Sequence, residues 1–156
     1  MKTLFIISII FTLGCKAQQN SPVDSLNNVL NNINNSSVII ALNHFETLRL
    51  DNNALAVCNR LSNSMIDKLI DSLSNREKVL VINAILSNSI EPFGSKLKYE
   101  YHYSGDQIDY TTYTYNSFSW MQHKDGKIEI EETEIDKIVK YWNTKKGKML
   151  IFHKCS

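Results

Sequence analysis

Four histidines, three cysteines, scattered carboxylates and a run of tyrosines are the residues of this chain whose chemistry could serve a reaction or a ligand. The histidines are His44, His102, His123 and His153, and none stands three or four residues from another. No helical turn therefore carries a metal pair. His102 and His123 can meet only across strands, with Asp106 or Asp109 as a carboxylate partner; otherwise the histidines read as surface side chains. No Cys-x-x-Cys spacing indicates a redox pair or a zinc site. Cys58 and Cys155 can close a disulfide in an oxidising compartment, or stand as two thiols with Cys58 buried on a helix. The five glycines are all single, so no loop can cradle a phosphate, and no Gly-x-Ser-x-Gly elbow presents a nucleophile. Asp67 and Asp71, beside Lys68, and the adjacent Glu131 and Glu132 read as solvated faces, whereas general acid–base catalysis needs a carboxyl group in a dry cleft. No metal and no cofactor is expected, and the pattern argues for a non-enzymatic role.

Six of the seven tyrosines fall between residues 99 and 115. Within "KLKYEYHY", Leu97, Tyr99, Tyr101 and Tyr103 alternate with Lys96, Lys98, Glu100 and His102, the period of a half-buried strand. A two-residue turn at Ser104-Gly105 would pair Tyr101 with Ile108 and Tyr99 with Tyr110. That register leaves one apolar and one wet face, so the tyrosine face is expected in the core. An Asp125-Gly126 two-residue turn would similarly pair Met121 with Ile130 and Trp120 with Glu131. Phe118 and Trp120 then fall on the polar face, as aromatic anchors of a binding surface would. A three-residue loop shifts the register by one and turns Trp120 inward opposite Ile130.

The elements that would position these residues differ between the two halves. From about residue 22 to residue 90 the apolar spacing is helical. Ser21-Pro22 opens a first helix carrying Val23, Leu26, Leu30 and Ile33. Ser37 caps a second, with Val38, Ala41, Leu42, Phe45 and Leu48 on one face, and Asp51 starts a third. Ser64-Met65-Ile66-Asp67 opens a fourth. A capping box at Ser74-Asn75-Arg76-Glu77 precedes a fifth, which runs through Val79, Ile82, Ile85 and Leu86 to Ile90. The pair within residues 65–90 resembles one HEAT-type helical hairpin, with no second copy along the chain. Residues 97–131 then read as about four antiparallel strands, 134–143 as a short helix capped by Thr133, and 148–153 as a final strand. The fold class is α+β.

The N-terminus has a different character. Lys2 is followed by the apolar run Leu4–Leu13, too short to span a hydrocarbon core about 30 Å thick. A basic start, a short apolar region and small residues after it make a secretory signal. Thr12-Leu13-Gly14-Cys15 resembles the lipobox of bacterial lipoprotein precursors, departing from it at Thr12, where the family usually has Leu. The resemblance implies cleavage before Cys15 and attachment of a diacylglycerol to its thiol, two or more acyl chains giving a stable anchor where one would not. The alternative is plain secretion with cleavage after Ala17.

Residues 1–14 are thus expected to be a signal peptide, 15–21 a lipidated N-terminus and tether, and 22–156 a single α+β domain. Loss of the leader removes one lysine and leaves basic and acidic residues in balance. A neutral domain lacks the electrostatic footprint of a nucleic-acid binder. The expected location is the bacterial cell envelope, membrane-anchored through the lipid, or else periplasmic or secreted in soluble form. The expected role is a non-enzymatic module that binds a protein partner. An immunity-type inhibitor of an incoming toxin is the alternative, with a small hydrolase or a glycan binder behind it.

Overall fold

The computed structural model describes residues 28, 30–41, 47–90 and 97–148. Asn28 and Leu30 are helical, and a 3-10 turn at Asn35–Ser37 leads into strand β1, Val38–Ala41. Strand β2, Thr47–Leu50, follows, then helices α1, Asn52–Arg60, α2, Asn63–Asp71, and α3, Val79–Ile90. The second half holds β3, Lys98–Ser104, β4, Gln107–Tyr115, β5, Phe118–His123, the short β6, Ile128–Glu129, and helix α4, Glu132–Asn143. Among the described residues these strands form two antiparallel sheets, β1-β2 and β3-β4-β5-β6. The α+β class is the one expected.

Helix α3 is the hub. Its sequence VLVINAILSNSI is apolar around its circumference, as a helix buried on all sides must be, and every residue except Asn88 is buried. It packs against α1, α2 and both strands of the small sheet, while α4 contacts α2 and lies on β5. Two hydrogen bonds between polar side chains inside this core join different elements. Trp142 donates from its indole N–H to Asn83 Oδ1, and Asn116 Nδ2 donates to Ser87 Oγ. These two bonds fasten the helical half to the sheet half.

Residues 38–50 correct the sequence reading. The helix expected with Val38, Ala41 and Leu48 on one face is absent there, and β1 pairs with β2 in the register Val38↔Leu50, Ile39↔Arg49 and Ile40↔Leu48. The physical reason is the β-branched run Val38-Ile39-Ile40, which loses side-chain freedom in a helix and suits a pleated surface. Val38 and Leu48 turn into the core, whereas Ile39 and Arg49 turn out.

The caps also shift. Asp51 does start α1, accepting from Ala54 N at 2.8 Å. The turn before α3 is made by Asn75 and not by Ser74: Asn75 Oδ1 accepts from Glu77 N, and its carbonyl from Val79 N. An asparagine side chain closes such a turn on its own backbone more readily than a serine does. Helix α4 begins at Glu132, with Glu131 at the cap position in place of Thr133. Ser21-Pro22, the signal peptide and the expected strand at 148–153, beyond Lys148, lie outside the described residues.

Candidate functional site

The four-stranded sheet presents two faces, and its register decides which residues each one carries. Strand β3 pairs with β4 through Ser104↔Gln107, Tyr103↔Ile108, His102↔Tyr110, Tyr101↔Thr111 and Tyr99↔Tyr113. The turn is Gly105-Asp106, with Gly105 at φ +63°, and Asp109 is the extra residue of a bulge. Tyr101 therefore faces Thr111, and Tyr99 faces Tyr113, not the expected Ile108 and Tyr110.

Tyr99, Tyr101 and Tyr103 are 37%, 38% and 63% exposed, and Ile108 beside them is 40% exposed. The expectation of a tyrosine core is thus corrected on β3. Helix α4 packs over β5, toward the other edge of the sheet, and burial takes in Thr111, Tyr113 and Tyr115 of β4 but not the tyrosines of β3. The rings form one chain from solvent into the core. Their centroids are spaced 6.5 Å from Tyr103 to Tyr101, 5.2 Å to Tyr99, 6.5 Å to Tyr113, 5.6 Å to Trp120 and 6.0 Å to Phe118. Burial pushes the Tyr113 phenol above its usual pKa, with a hydrogen bond from Thr111 opposing that shift and Tyr101 adding to it.

Phe118 and Trp120, the expected surface anchors, are core residues at 0% and 2% exposure. The loop between β5 and β6 holds three residues, 124–126, because Met121 pairs with Glu129, Gln122 with Ile128, and His123 N donates to Lys127 O. One added loop residue exchanges the faces of every side chain on the strand. Trp120 is accordingly buried, as Ile130 is, and stacks on Tyr113.

The other face carries the histidines. Across β3, β4 and β5 the register lines up His102, Tyr110 and His123. The Tyr110 ring stacks on His102 at 4.3 Å and lies 5.9 Å from His123, so it stands between them. His102 Nε2 meets Thr112 Oγ1 at 3.0 Å, and His123 Nε2 meets Glu129 Oε2 at 3.2 Å. Asp106 and Asp109 are at the exposed tip. No group of three metal-ligating side chains occurs among the described residues.

A cleft of about 680 Å³ opens at the opposite edge of the sheet, between Asn34–Ser36, Arg76–Glu77 and Gly126–Ile130. Its size is that of a small-ligand site. Two side chains hold its three walls together. Asn35 donates from Nδ2 to Arg76 O at 2.8 Å and accepts at Oδ1 from Leu80 N at 2.9 Å. Arg76 donates from Nε and Nη2 to Ile130 O at 3.2 and 2.6 Å. The cleft carries Arg76 and Lys127 against Glu77 and Glu129, so neither sign of charge prevails.

A smaller pocket of about 170 Å³ lies between β5 and the start of α4, with Glu129, Glu131 and Glu134 in its lining. Glu134 is already engaged: Oε2 accepts from Ser119 N and Oε1 from Lys137 Nζ. It fills the ladder position that β6 is too short to reach.

Of the cysteines, Cys58 is buried on α1, with its sulfur in a disulfide and 3.1 Å from Ser89 Oγ. Cys15 and Cys155 both lie outside the described residues. Asp67 and Asp71 are not idle surface charges, since Asp71 accepts from Lys146 Nζ at 2.6 Å and Asp67 from Gly147 N at 3.1 Å. They dock the turn that follows α4. At that same end Lys145 donates to Tyr141 Oη and lies over its ring, and burial lowers the Lys145 pKa while raising that of Tyr141.

Arg76 and Asn35 have no sequence signal that marks them as the braces of a cleft. Asn83 does have one, a polar residue inside an otherwise apolar helical run. No family model matches the chain, and no curated protein or solved structure matches it either.

Proposed function

We propose that the chain is a lipid-anchored protein of the bacterial cell envelope that binds a partner protein through the tyrosine surface of β3 and performs no catalysis of its own. The observation that carries the binding role is the half-exposed row Tyr99, Tyr101 and Tyr103, flanked by Ile108, on a strand with a single neighbour among the described residues. A contiguous aromatic surface on an edge strand is an aggregation hazard unless something covers it. Tyrosine suits such a surface because it offers a large contact area and a polar tip at low entropic cost. The rings of Tyr99, Tyr101 and Tyr103 are turned 61° and 64° against one another along the row. They make ridges and notches that fit side chains, not the flat shelf on which a sugar stacks.

The anchor rests on Lys2, the apolar run Leu4–Leu13 and Cys15 after Gly14. Among the described residues no helix is long and apolar enough to cross a membrane. Six residues, 16–21, would separate the lipid from the domain, a reach of at most about 20 Å. The tyrosine surface would then work close to the bilayer.

Two experiments test the reading. Cells fed a labelled fatty acid should incorporate it into the wild type, and Cys15→Ala should abolish the label and release the protein from membranes. A soluble wild-type protein beginning at Gln18 would refute the anchor. A photo-crosslinking residue at Tyr103 should trap a defined protein in the envelope, while the same residue at exposed Lys140 on α4 should not. No product from Tyr103, or equal products from both positions, would refute the surface.

A further inference from the structure

The cleft beside β6 has a property that its volume alone does not convey. Antiparallel pairing turns the N–H and C=O of alternate residues toward the neighbouring strand and those of the residues between them away from it. His123 N donates to Lys127 O, and Met121 pairs with Glu129, so Lys127 and Glu129 bond inward to β5. Ile128 and Ile130 must then turn their main-chain groups outward, into the cleft. Arg76 confirms the direction, because its guanidinium reaches Ile130 O from the cleft side. No described residue bonds to the N–H or the C=O of Ile128.

We infer that this cleft binds an extended peptide segment, which adds to the free edge of β6 through the N–H and C=O of Ile128. Arg76 already occupies the next acceptor along that edge, as a strand neighbour would. The opposite wall is also built of amide and hydroxyl groups, Asn34, Asn35 and Ser36. The charges decide the class of ligand. An anion entering beside Arg76 and Lys127 meets Glu77 and Glu129, and a cation meets the reverse, whereas a neutral main chain with alternating donors and acceptors is opposed by neither pair. Strand addition at an exposed sheet edge takes its affinity from such main-chain bonds. The site is separate from the tyrosine row, which lies at the other edge of the same sheet, and stands whether or not that row binds a protein.

The test uses the full chain, 15N-labelled in detergent micelles, titrated with acetyl-tetra-alanine amide. The expected result is a saturable downfield shift of the Ile128 amide, with responses confined to residues lining the cleft. The same peptide N-methylated at every amide should bind at least tenfold more weakly, because it cannot donate to Ile128 O. Ile128→Pro removes the outward N–H and keeps the outward C=O, a substitution an edge strand tolerates where that group faces solvent. Compared with Ile128→Ala, which accounts for the lost side chain, it should weaken binding at least tenfold while Met121 and Glu129 keep their protection from exchange. No response at Ile128 up to tens of millimolar peptide, or an equal response to the N-methylated peptide, overturns the inference. The N-methylated comparison uses the unaltered protein and decides the matter even if the proline variant fails to fold.

Discussion

Trp142 of α4 and Asn83 of α3 are joined by a hydrogen bond of 2.8 Å from indole N–H to amide oxygen, and both residues are fully buried. Fifty-nine residues separate them in sequence. Their bond ties the helical half of the chain to the helix that covers the sheet. Removing one partner strands the other, and an unsatisfied buried polar group costs about 1–3 kcal/mol.

Asn83→Ala and Trp142→Phe should therefore each destabilise the protein by about 2–3 kcal/mol in urea unfolding. The double variant should fall short of the sum by about 1–2 kcal/mol, the signature of coupled neighbours. Strict additivity would show that the bond contributes nothing to stability.

Trp120 offers a contrast within the same core. Its indole N–H has no partner, so Trp120→Phe forfeits packing area and no hydrogen bond. Trp120→Ala should cost about 3–5 kcal/mol, as large aromatic truncations do. Tyr101→Ala, on the exposed row, should cost less than about 1 kcal/mol. Thermal unfolding of the two alanine variants checks the ordering, and equal losses would place Tyr101 in the core after all.

Cys58 should be found joined to Cys155 when unreduced protein is digested and its peptides are mapped by mass spectrometry. On the proposed acylation of Cys15, Cys155 is the remaining cysteine within the chain. A bridge spanning so long a loop contributes up to about 4–5 kcal/mol in the chain-entropy model. Reduction should lower the melting temperature accordingly. A Cys15–Cys58 peptide would overturn both the pairing and the lipid assignment.

The β4–β5 turn holds Asn116 at φ +53° and Ser117 at φ +62°. This left-handed region costs a residue with a Cβ about 1–2 kcal/mol, and asparagine bears it better than serine. Ser117→Gly should raise stability by about 0.5–1 kcal/mol, since the greater freedom of glycine when unfolded cancels part of the relief. Asn116→Gly should instead destabilise, because Asn116 Nδ2 donates to Ser87 Oγ in the core. Denaturant midpoints for the two variants should move in opposite directions.

Local pattern determined much of this protein. The α+β order, the helical spacing through α1, α2 and α3, the start of α1 at Asp51 and the succession of strands after Leu97 are written in periodicity and turn residues, which act over a few positions. Tertiary structure decided the rest. Val38–Ala41 and Thr47–Leu50 satisfy a helical pattern and a strand pattern alike, and pair as strands where α3 offers a surface that buries Val38 and Leu48. One extra residue in the 124–126 loop turned Phe118 and Trp120 from expected surface into core, and α4, lying over β5, left the tyrosines of β3 in solvent. A strand's period of two says which residues share a face; the length of the loop sets the register, and only what packs against the sheet says how far along that face the dry part extends.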